Sequence, residues 1–472
     1  MVNDKIGARR ALVTGASGFI GARLVPALVA EGWSVRVLAR TPSKLDPRWR
    51  DDVEICQGDA TNDNDLRRAL ADVDVAYYLL HSMDGKGDFI ERDKKLAHGF
   101  ATVAKELDVP RIIYMGGLHD DEADLAPHMA SRAEVGQILA ESGVPTTILQ
   151  AGVVLGEGSA SFQMLRHLTE RLPAAIAPKW VANRVQPIDI EDVVYYLVEA
   201  AKLPPDESGA LDIGMEEIYT YRDMMKRYAD VTGLSSRSLT TVPVLTPDLA
   251  SHWVGLVTPV DAGVARPLVG SLIDDAVKGM GRARDVRDVI PDPPGGLTGF
   301  DDSVRANTTG IDPERFGRIA RRVVGAVALT SVIGSILTKP DGTWYRKLAK
   351  PPWQPPAAAF PIVWTGLYAT IAGASTMALA ERIENGDRDG ARDYAIALGA
   401  NLTLNASWSG VFFRSKSLGL SAATAGLLAA SSADLARRGW QTRPQIGTVL
   451  VPYAVWCGFA AALSTSIARR NS

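Results

Sequence analysis

The chain has 472 residues, more than one hydrophobic core usually organises, so two or more domains are expected. A formal net charge of -3 offers no concentrated basic surface of the kind nucleic acid needs, and two cysteines, Cys56 and Cys457, exclude a disulfide framework or a thiolate metal cluster. The averages of 46% hydrophobic and 22% charged residues hide a shift, since charge belongs mostly to the first two thirds while Ala, Leu, Gly and Trp dominate the last third.

Residues 1–5 lead straight into a strand-like run without the apolar core of a secretory signal, so the front half is expected in the cytoplasm. Residues 11–13 form a short apolar run that ends in Thr14-Gly15-Ala16-Ser17-Gly18-Phe19-Ile20-Gly21. A helix is expected over 19–31 and a second strand over 35–40. The alternation continues with a strand at 53–55, a helix over 65–71, a strand at 75–80, a helix over 88–107 and a strand at 111–115. Strands separated by helical patterns predict an α/β fold with a doubly wound parallel sheet.

Beyond the apolar run 146–149 the pattern loosens. Residues 187–192 lead into an apolar helix through 200, with Asp189 or Glu191 placed to cap its first turn rather than to react. Residues 203–299 read as mixed and Pro-rich, and 291–296 as irregular structure. A linker is expected at 308–316, between a nucleotide-binding domain over 1–307 and a membrane domain over 317–472. Apolar runs at 323–337, 357–379, 394–413, 418–435 and 446–467 approach the roughly 20 residues needed to cross a bilayer. Arg315, Arg318, Arg321 and Arg322 stand just before the first run, a positive flank that favours the cytoplasmic side.

Gly15, Gly18 and Gly21 give a G-x-x-G-x-x-G spacing between strand and helix, with Ser17, Phe19 and Ile20 inside the turn. Such a turn lets the backbone approach a pyrophosphate held at the positive end of a helix, the Rossmann arrangement. An acidic residue at the end of the second strand would serve the ribose of NAD. Arg40 stands there instead, with Lys44 nearby, and suits the 2′-phosphate of NADP; a solvated surface arginine is the alternative, and NAD stays open. Asp59 is placed to meet the adenine end, although turn chemistry also explains it.

These residues resemble the atypical short-chain dehydrogenases, near the NmrA-like and extended NAD(P)-binding group, over about residues 11–307. Tyr78-Leu79-Leu80-His81-Ser82-Met83, residues 156–162 and residues 300–305 carry the resemblance. It implies a Tyr and a Lys four residues on that share proton transfer, with a Ser placing the carbonyl. This chain departs from all three: Gly116-Gly117 stands at the Ser position, and His128-Met129-Ala130-Ser131-Arg132 at the Tyr-x-x-x-Lys position. His128 can act as a general acid with Arg132 holding charge, or lie on a helix surface; Ser131 can replace the missing hydroxyl. His81 and Ser82, after a strand's C-terminal end, either shape the pocket or react. The six histidines show no metal-ligand spacing, His119 and His128 read as a solvated loop, and no metal is expected.

Residues 344–356 read Trp-Tyr-Arg-Lys-Leu-Ala-Lys-Pro-Pro-Trp-Gln-Pro-Pro, and with 360–368, 401–409 and 451–456 they resemble the TspO/MBR family of tryptophan-rich sensory or translocator proteins over about 315–471. The resemblance implies an all-α domain of five transmembrane helices, weakly a homodimer through them, and a pocket for porphyrins, sterols or related flat ligands. By motif position its lining is Trp344, Tyr345, Trp353, Trp364, Asn405, Trp408 and Trp456. Indole faces can stack on a planar ring while a buried Asn supplies a rare polar contact. Trp440 reads as interfacial belt. No Tyr followed closely by a basic residue comes after Trp456, so a tetrapyrrole is preferred to a sterol. Two functions follow: an NADP(H)-dependent oxidoreductase of a lipophilic substrate such as a quinone, isoprenoid or tetrapyrrole, or a non-catalytic sensor or transport-linked binding protein.

Overall fold

A computed structural model describes residues 9–81, 89–121, 123–242, 254–255 and 257–471. The chain divides into two compact units, Met1–Ile311 and Asp312–Ser472.

In the first unit, β1 (Arg10–Thr14), β2 (Ser34–Ala39), β3 (Glu54–Gln57), β4 (Val75–Tyr78), β5 (Ile112–Gly117), β6 (Thr146–Ala151), β7 (Gly209–Ile213) and β8 (Arg284–Asp285) make one sheet. Their order is β3-β2-β1-β4-β5-β6-β7-β8 and every pairing is parallel. Four crossovers carry helices, α1 (Gly21–Ala30), α2 (Asp63–Leu70), α3 (Phe89–Glu106) and α4 (Pro127–Ala140), while β2 and β3 are joined through short 3-10 turns. Helices on both faces bury the middle strands entirely, so β4 and β5 read as unbroken apolar runs rather than alternating ones. Strand order reverses between β1 and β4, and a crevice opens at their C-terminal ends. Thr14 ties those ends together: its hydroxyl donates to the Tyr77 carbonyl at 2.8 Å and accepts from the Leu79 N–H at 3.2 Å.

A second apolar core closes the crevice from the far side. It is built on α5 (Ala160–Arg171), α7 (Tyr221–Val231), α8 (Ala262–Gly270) and α9 (Phe300–Asn307), while α6 (Ile190–Ala200) packs with α1 against the sheet. Asp189 caps α6 as expected, accepting from the Glu191 N–H at 2.8 Å and from the Ser303 hydroxyl at 2.5 Å. The 203–299 stretch is more ordered than its composition predicts, since it holds β7, α7, α8 and β8. The strands and α8 are short, but α7 was readable: Thr220 and Asp223 form a reciprocal capping box, and Tyr221, Met224, Met225, Tyr228 and Ala229 recur at helical spacing on its buried face.

The second unit is helical. A short α11 (Thr343–Lys347) separates α10 (Arg315–Leu337) from α12 (Ala359–Glu384), α13 (Arg388–Phe413), α14 (Leu418–Thr442) and α15 (Pro444–Arg470). Four of the five long helices are long and apolar enough to cross a membrane. The exception is α13, whose first turns carry Arg388, Asp389, Arg392 and Asp393. Large apolar side chains point outward, Leu329 and Ile336 on α10 and Ile362 on α12 among them. Polar ones turn inward, the inversion that a hydrocarbon solvent selects.

Helices α14 and α15 pack backbone to backbone. Small residues on α14 (Ser421, Ala425, Ser432, Gly439) face the partner, and a Cβ on Gly439 would lie 3.1 Å from the Gly447 Cα. A hydrogen-bonded chain crosses the bundle core. Tyr368 on α12 donates to Asn405 Oδ1 at 2.9 Å, Asn405 Nδ2 donates to the Tyr453 hydroxyl at 3.3 Å, and Tyr453 donates to Asn401 Oδ1 at 2.8 Å. Asn401 then donates to Ser432 Oγ at 3.2 Å, so every link in a water-poor core has a partner.

Candidate functional site

The glycine turn leaves β1 and enters α1 under tight constraint. Gly15 has φ +71°, a conformation that favours glycine, and a Cβ there would stand 2.5 Å from the Leu79 carbonyl oxygen. A Cβ on Gly21 would stand 2.4 Å from the Gly15 oxygen, whereas at Gly18 the nearest atom is the same oxygen at 3.1 Å. Gly15 and Gly21 therefore let the turn close, and Gly18 keeps its outer side bare. No side chain caps the start of α1, so the positive end of that helix is left for a ligand's anionic group. These features fit a dinucleotide pyrophosphate. Phe19 folds against Gly156 and Gly158, and Arg23 lies 4.4 Å from the Phe19 ring centre while donating to the Glu157 carbonyl at 2.5 Å. Ser17 and Ile20 lie in the same turn, Ser17 exposed and Ile20 half-buried.

Arg40 is the residue after β2 and is exposed, with no hydrogen bond or ion pair among the described residues. A free guanidinium at this strand end fits a phosphate on the adenosine ribose. Asp59 is committed locally: its Oδ1 accepts from both the N–H and the hydroxyl of Thr61 at 2.9 Å. Turn closure is the role the structure gives it.

A cavity of about 510 Å³ runs from the glycine turn across the C-terminal ends of β4 and β5 to the second core. Its wall is mostly apolar, with Leu79, Met115, Val153, Met164, Leu268 and Leu272 among the lining. Four buried polar atoms on lining residues lack a hydrogen-bond partner among the described residues: His81 Nε2, His128 Nδ1, Arg132 Nε and the Tyr221 hydroxyl. Native interiors rarely leave such atoms unmet, and these four belong to residues around one apolar cavity. A more open cleft of about 670 Å³ beside it shares Gly116, Gly117 and Arg132, but it is lined by Asp121, Asp124 and Glu134 and lacks the glycine turn.

Three expected residues meet here. The His81 and His128 ring centres are 4.7 Å apart, and Arg132 follows His128 by one helical turn on α4. His81 Nδ1 lies 3.2 Å from Asp93 Oδ2 of α3, a carboxylate that is itself 3% exposed. Arg132 donates to the Met115 and Gly116 carbonyls at 2.9 and 3.0 Å, holding its charge at the end of β5. Burial pushes the His81 pKa below its ordinary value, with the Asp93 carboxylate opposing and the Arg132 charge assisting. Burial, then the neighbouring His81 and Arg132, push His128 down to about 3, so it is neutral at physiological pH.

Neither histidine matches the solvated-loop expectation. His128 is 5% exposed and sits in the first turn of α4. His119 follows β5 in a loop, but its Nδ1 lies 2.8 Å from the Gly117 carbonyl oxygen, its Nε2 3.5 Å from Asp121, and its side chain is 9% exposed. Acidic neighbours in sequence gave the wrong cue, because α4 starts only at Pro127 and turns His128 inward. Ser131 is buried on α4 and does not line the cavity. Ser82 lies outside the described residues. At Gly117, where a Ser was expected, a Cβ would come 2.6 Å from the Met129 methyl, the end of a flexible side chain. Asp93 and Tyr221 were not singled out from the sequence. Only the Asp93 position, buried on an otherwise charged helix, distinguishes it, and that is invisible without the fold.

In the second unit the aromatic residues form three groups of contacting rings. Trp408 stacks on Phe412 at 5.2 Å, Trp344 and Tyr345 meet the same ring edge-on, and Trp353 and Trp456 both contact Phe459. Trp364 lies against Tyr368 and Tyr453. Asn405 is occupied by those two tyrosines rather than left open. Trp408 and Trp456 each keep a buried indole N–H without a partner, and Trp440 is exposed at 46%.

The profile of the TspO/MBR family matches residues 323–470, and an NAD(P)H-binding family profile matches residues 15–185. The tryptophan-rich sensory protein of Cereibacter sphaeroides is 32% identical over 148 residues, 31% of this chain and 85% of that protein. A ceramide reductase of Caulobacter vibrioides is 27% identical over 228 residues, 48% of this chain and 71% of that protein. Among solved structures, a Citrobacter sp. triphenylmethane reductase complexed with NADP(H) aligns at 17% identity and TM-score 0.49, covering 63% of this chain and 99% of that one.

Proposed function

Since the chain belongs to the TspO/MBR family through its second unit and carries an NAD(P)H-binding domain in its first, we propose that it is a membrane-anchored, NADP(H)-dependent reductase of a lipophilic carbonyl compound. The observation that carries this reading is the pair of unpartnered histidine nitrogens on an apolar cavity that begins at the glycine turn. NADP(H) would be held by Gly15, Gly18 and Gly21, with Arg40 at its 2′-phosphate; when bound it supplies a hydride.

The protein's own part is to exclude water, seat the carbonyl and move a proton. His81 takes the place of the absent tyrosine. Its Nδ1 lies 3.2 Å from Asp93 Oδ2, a carboxylate that offsets the charge of an imidazolium, and in this reading its buried Nε2 gives a proton to a forming alkoxide or takes one from an alcohol. Neutral His128 offers a hydrogen bond beside it. Arg132 keeps a fixed positive charge at the strand end, the role of the missing lysine.

The aromatic groups around Trp344, Tyr345, Trp353, Trp364, Trp408 and Trp456 are the ligand-holding part of the membrane unit in this reading, for a tetrapyrrole, isoprenoid or quinone. Likeness to a ceramide reductase adds amide-bearing lipids to those classes. All five long helices, α13 included, would span the membrane, with the nucleotide unit on the cytoplasmic side and a dimer formed through the helices.

A second reading, a sensor that binds NADP(H) without hydride transfer, draws support from the replacement of Ser, Tyr and Lys by Gly116, His128 and Arg132. Measuring NADPH absorbance with purified protein and candidate substrates separates the two: oxidation that needs both substrate and an intact His81 supports the reductase. Bound but unreacted NADPH with every class supports the sensor.

A further inference from the structure

Three segments meet at one end of the helical unit. Asn471, just past α15, accepts from the Ala349 N–H at 2.8 Å and donates to the Ala349 carbonyl at 3.0 Å. Arg414, just past α13, donates to the Ile336 carbonyl of α10 at 3.4 Å, and Trp344 of α11 lies edge-on to Phe412 of α13 at 5.6 Å. These segments, 336–356, 411–420 and 461–471, hold eight Lys and Arg against one acidic residue, Asp341. Arg346, Lys347, Arg414 and Lys416 are exposed, and among the described residues none of the four is in an ion pair. Lys350 lies 4.0 Å from the Tyr345 ring centre, a contact that leaves its charge uncancelled.

The opposite end holds the start of α10 and the α12–α13 and α14–α15 turns. It is no poorer in basic residues, but it answers them itself. Arg382 pairs with Asp387 at 2.7 Å, Arg438 with Asp434 at 2.6 Å and Arg443 with Glu381 at 3.1 Å. Crowded charges of one sign repel when nothing of the other sign stands among them, and a surface of opposite charge relieves that repulsion. Apolar side chains border the basic end, with Ile336 of α10 exposed at 65% and Leu420 of α14 at 55%. An anion that also carries acyl chains satisfies both surfaces, which free phosphate does not.

We propose that this end of the bundle is a binding surface for anionic phospholipids, with Arg346, Lys347, Arg414 and Lys416 receiving their headgroup phosphates. It rests on the reading of the helical unit as membrane-spanning and is independent of hydride transfer in the nucleotide unit.

The test uses the full chain reconstituted into vesicles of phosphatidylcholine and phosphatidylglycerol, each lipid in turn carrying brominated chains. Quenching of tryptophan fluorescence then gives the relative binding constant of the two lipids. At low salt about a tenfold preference for phosphatidylglycerol is expected, the worth of one or two basic side chains at a headgroup. It should fall to about twofold or less in Arg346→Gln/Lys347→Gln/Lys416→Gln, where three of those charges are gone. The charge-conserving triple Arg346→Lys/Lys347→Arg/Lys416→Arg should keep the preference, as should Arg388→Gln/Arg392→Gln at the opposite end. No preference in wild type, no fall in the neutral triple, or a fall of the same size in either control overturns the proposal. Inorganic phosphate at matched ionic strength should not compete; competition would assign the surface to free phosphate and overturn the lipid. A chain that alkaline carbonate strips from the vesicles would reject the spanning reading, and the lipid surface with it.

Discussion

His81, Asp93 and His128 set the chemistry that the pocket allows, and they do so through charge. A reduction that draws its proton from His81 needs the imidazolium, whose pKa burial holds below the ordinary histidine value. Its rate is therefore expected to rise as pH falls through that depressed pKa, and the reverse oxidation to rise as pH increases across the same window, as a pH profile of kcat would record. Asp93→Asn removes the carboxylate that opposes the depression, so the profile should move to lower pH, while His81→Asn should lower kcat by about 10²–10⁴. Burial holds the His128 pKa at about 3 in the folded chain, against the ordinary histidine value of about 6.5 in the unfolded one, so the unfolded chain binds the extra proton between them. Its contribution is present at pH 7 and lost as pH falls, by at most about 2 kcal/mol between pH 7 and 5. Thermal melts over that range should flatten in His128→Gln. Arg40→Ala should weaken NADPH about tenfold relative to NADH, the worth of one charged hydrogen bond, read by titration of both cofactors.

At the scale of elements, legibility followed signal length. β1, the glycine turn and α1 were readable because a conformational need, the left-handed Gly15 and the close approach at Gly21, is written in residue type. The strands β4 and β5 were readable because burial on both faces makes them apolar throughout. α8, a short helix with Pro267 inside it, carried no such signal, whereas α7 was legible, its capping box and its buried Tyr221, Met224, Met225, Tyr228 and Ala229 at helical spacing standing in the sequence unread. Asp93 was illegible for another reason: its partner His81 lies on a different element, and only the parallel sheet order brings α3 beside the end of β4. In the bundle, Asn405 was placed by motif, but the pairing that occupies it joins three helices. Close packing at α14 and α15 makes its own prediction. A Cβ on Gly447 would stand 2.4 Å from the Trp440 ring, so Gly447→Ala should lower the melting temperature of the helical unit, by the equivalent of about 1–3 kcal/mol.

The whole molecule joins a nucleotide-binding unit to a helical unit whose outward face is apolar. Five spans would place the chain's two ends on opposite sides of the bilayer and four would place them on the same side, so a reporter fused after the last helix decides whether α13 crosses. The account expects opposite sides, with the nucleotide unit in the cytoplasm. Its central claim is that the cavity at the glycine turn reduces a lipophilic carbonyl with NADPH. The most direct measurement is NADPH absorbance over time with the full chain in detergent, given a long-chain 3-oxo amide, protoporphyrin or a short-chain quinone in turn. Oxidation dependent on one of these, abolished by Gly18→Asp and strongly reduced by His81→Asn, is the predicted result; NADPH that binds and stays reduced with all three would contradict it.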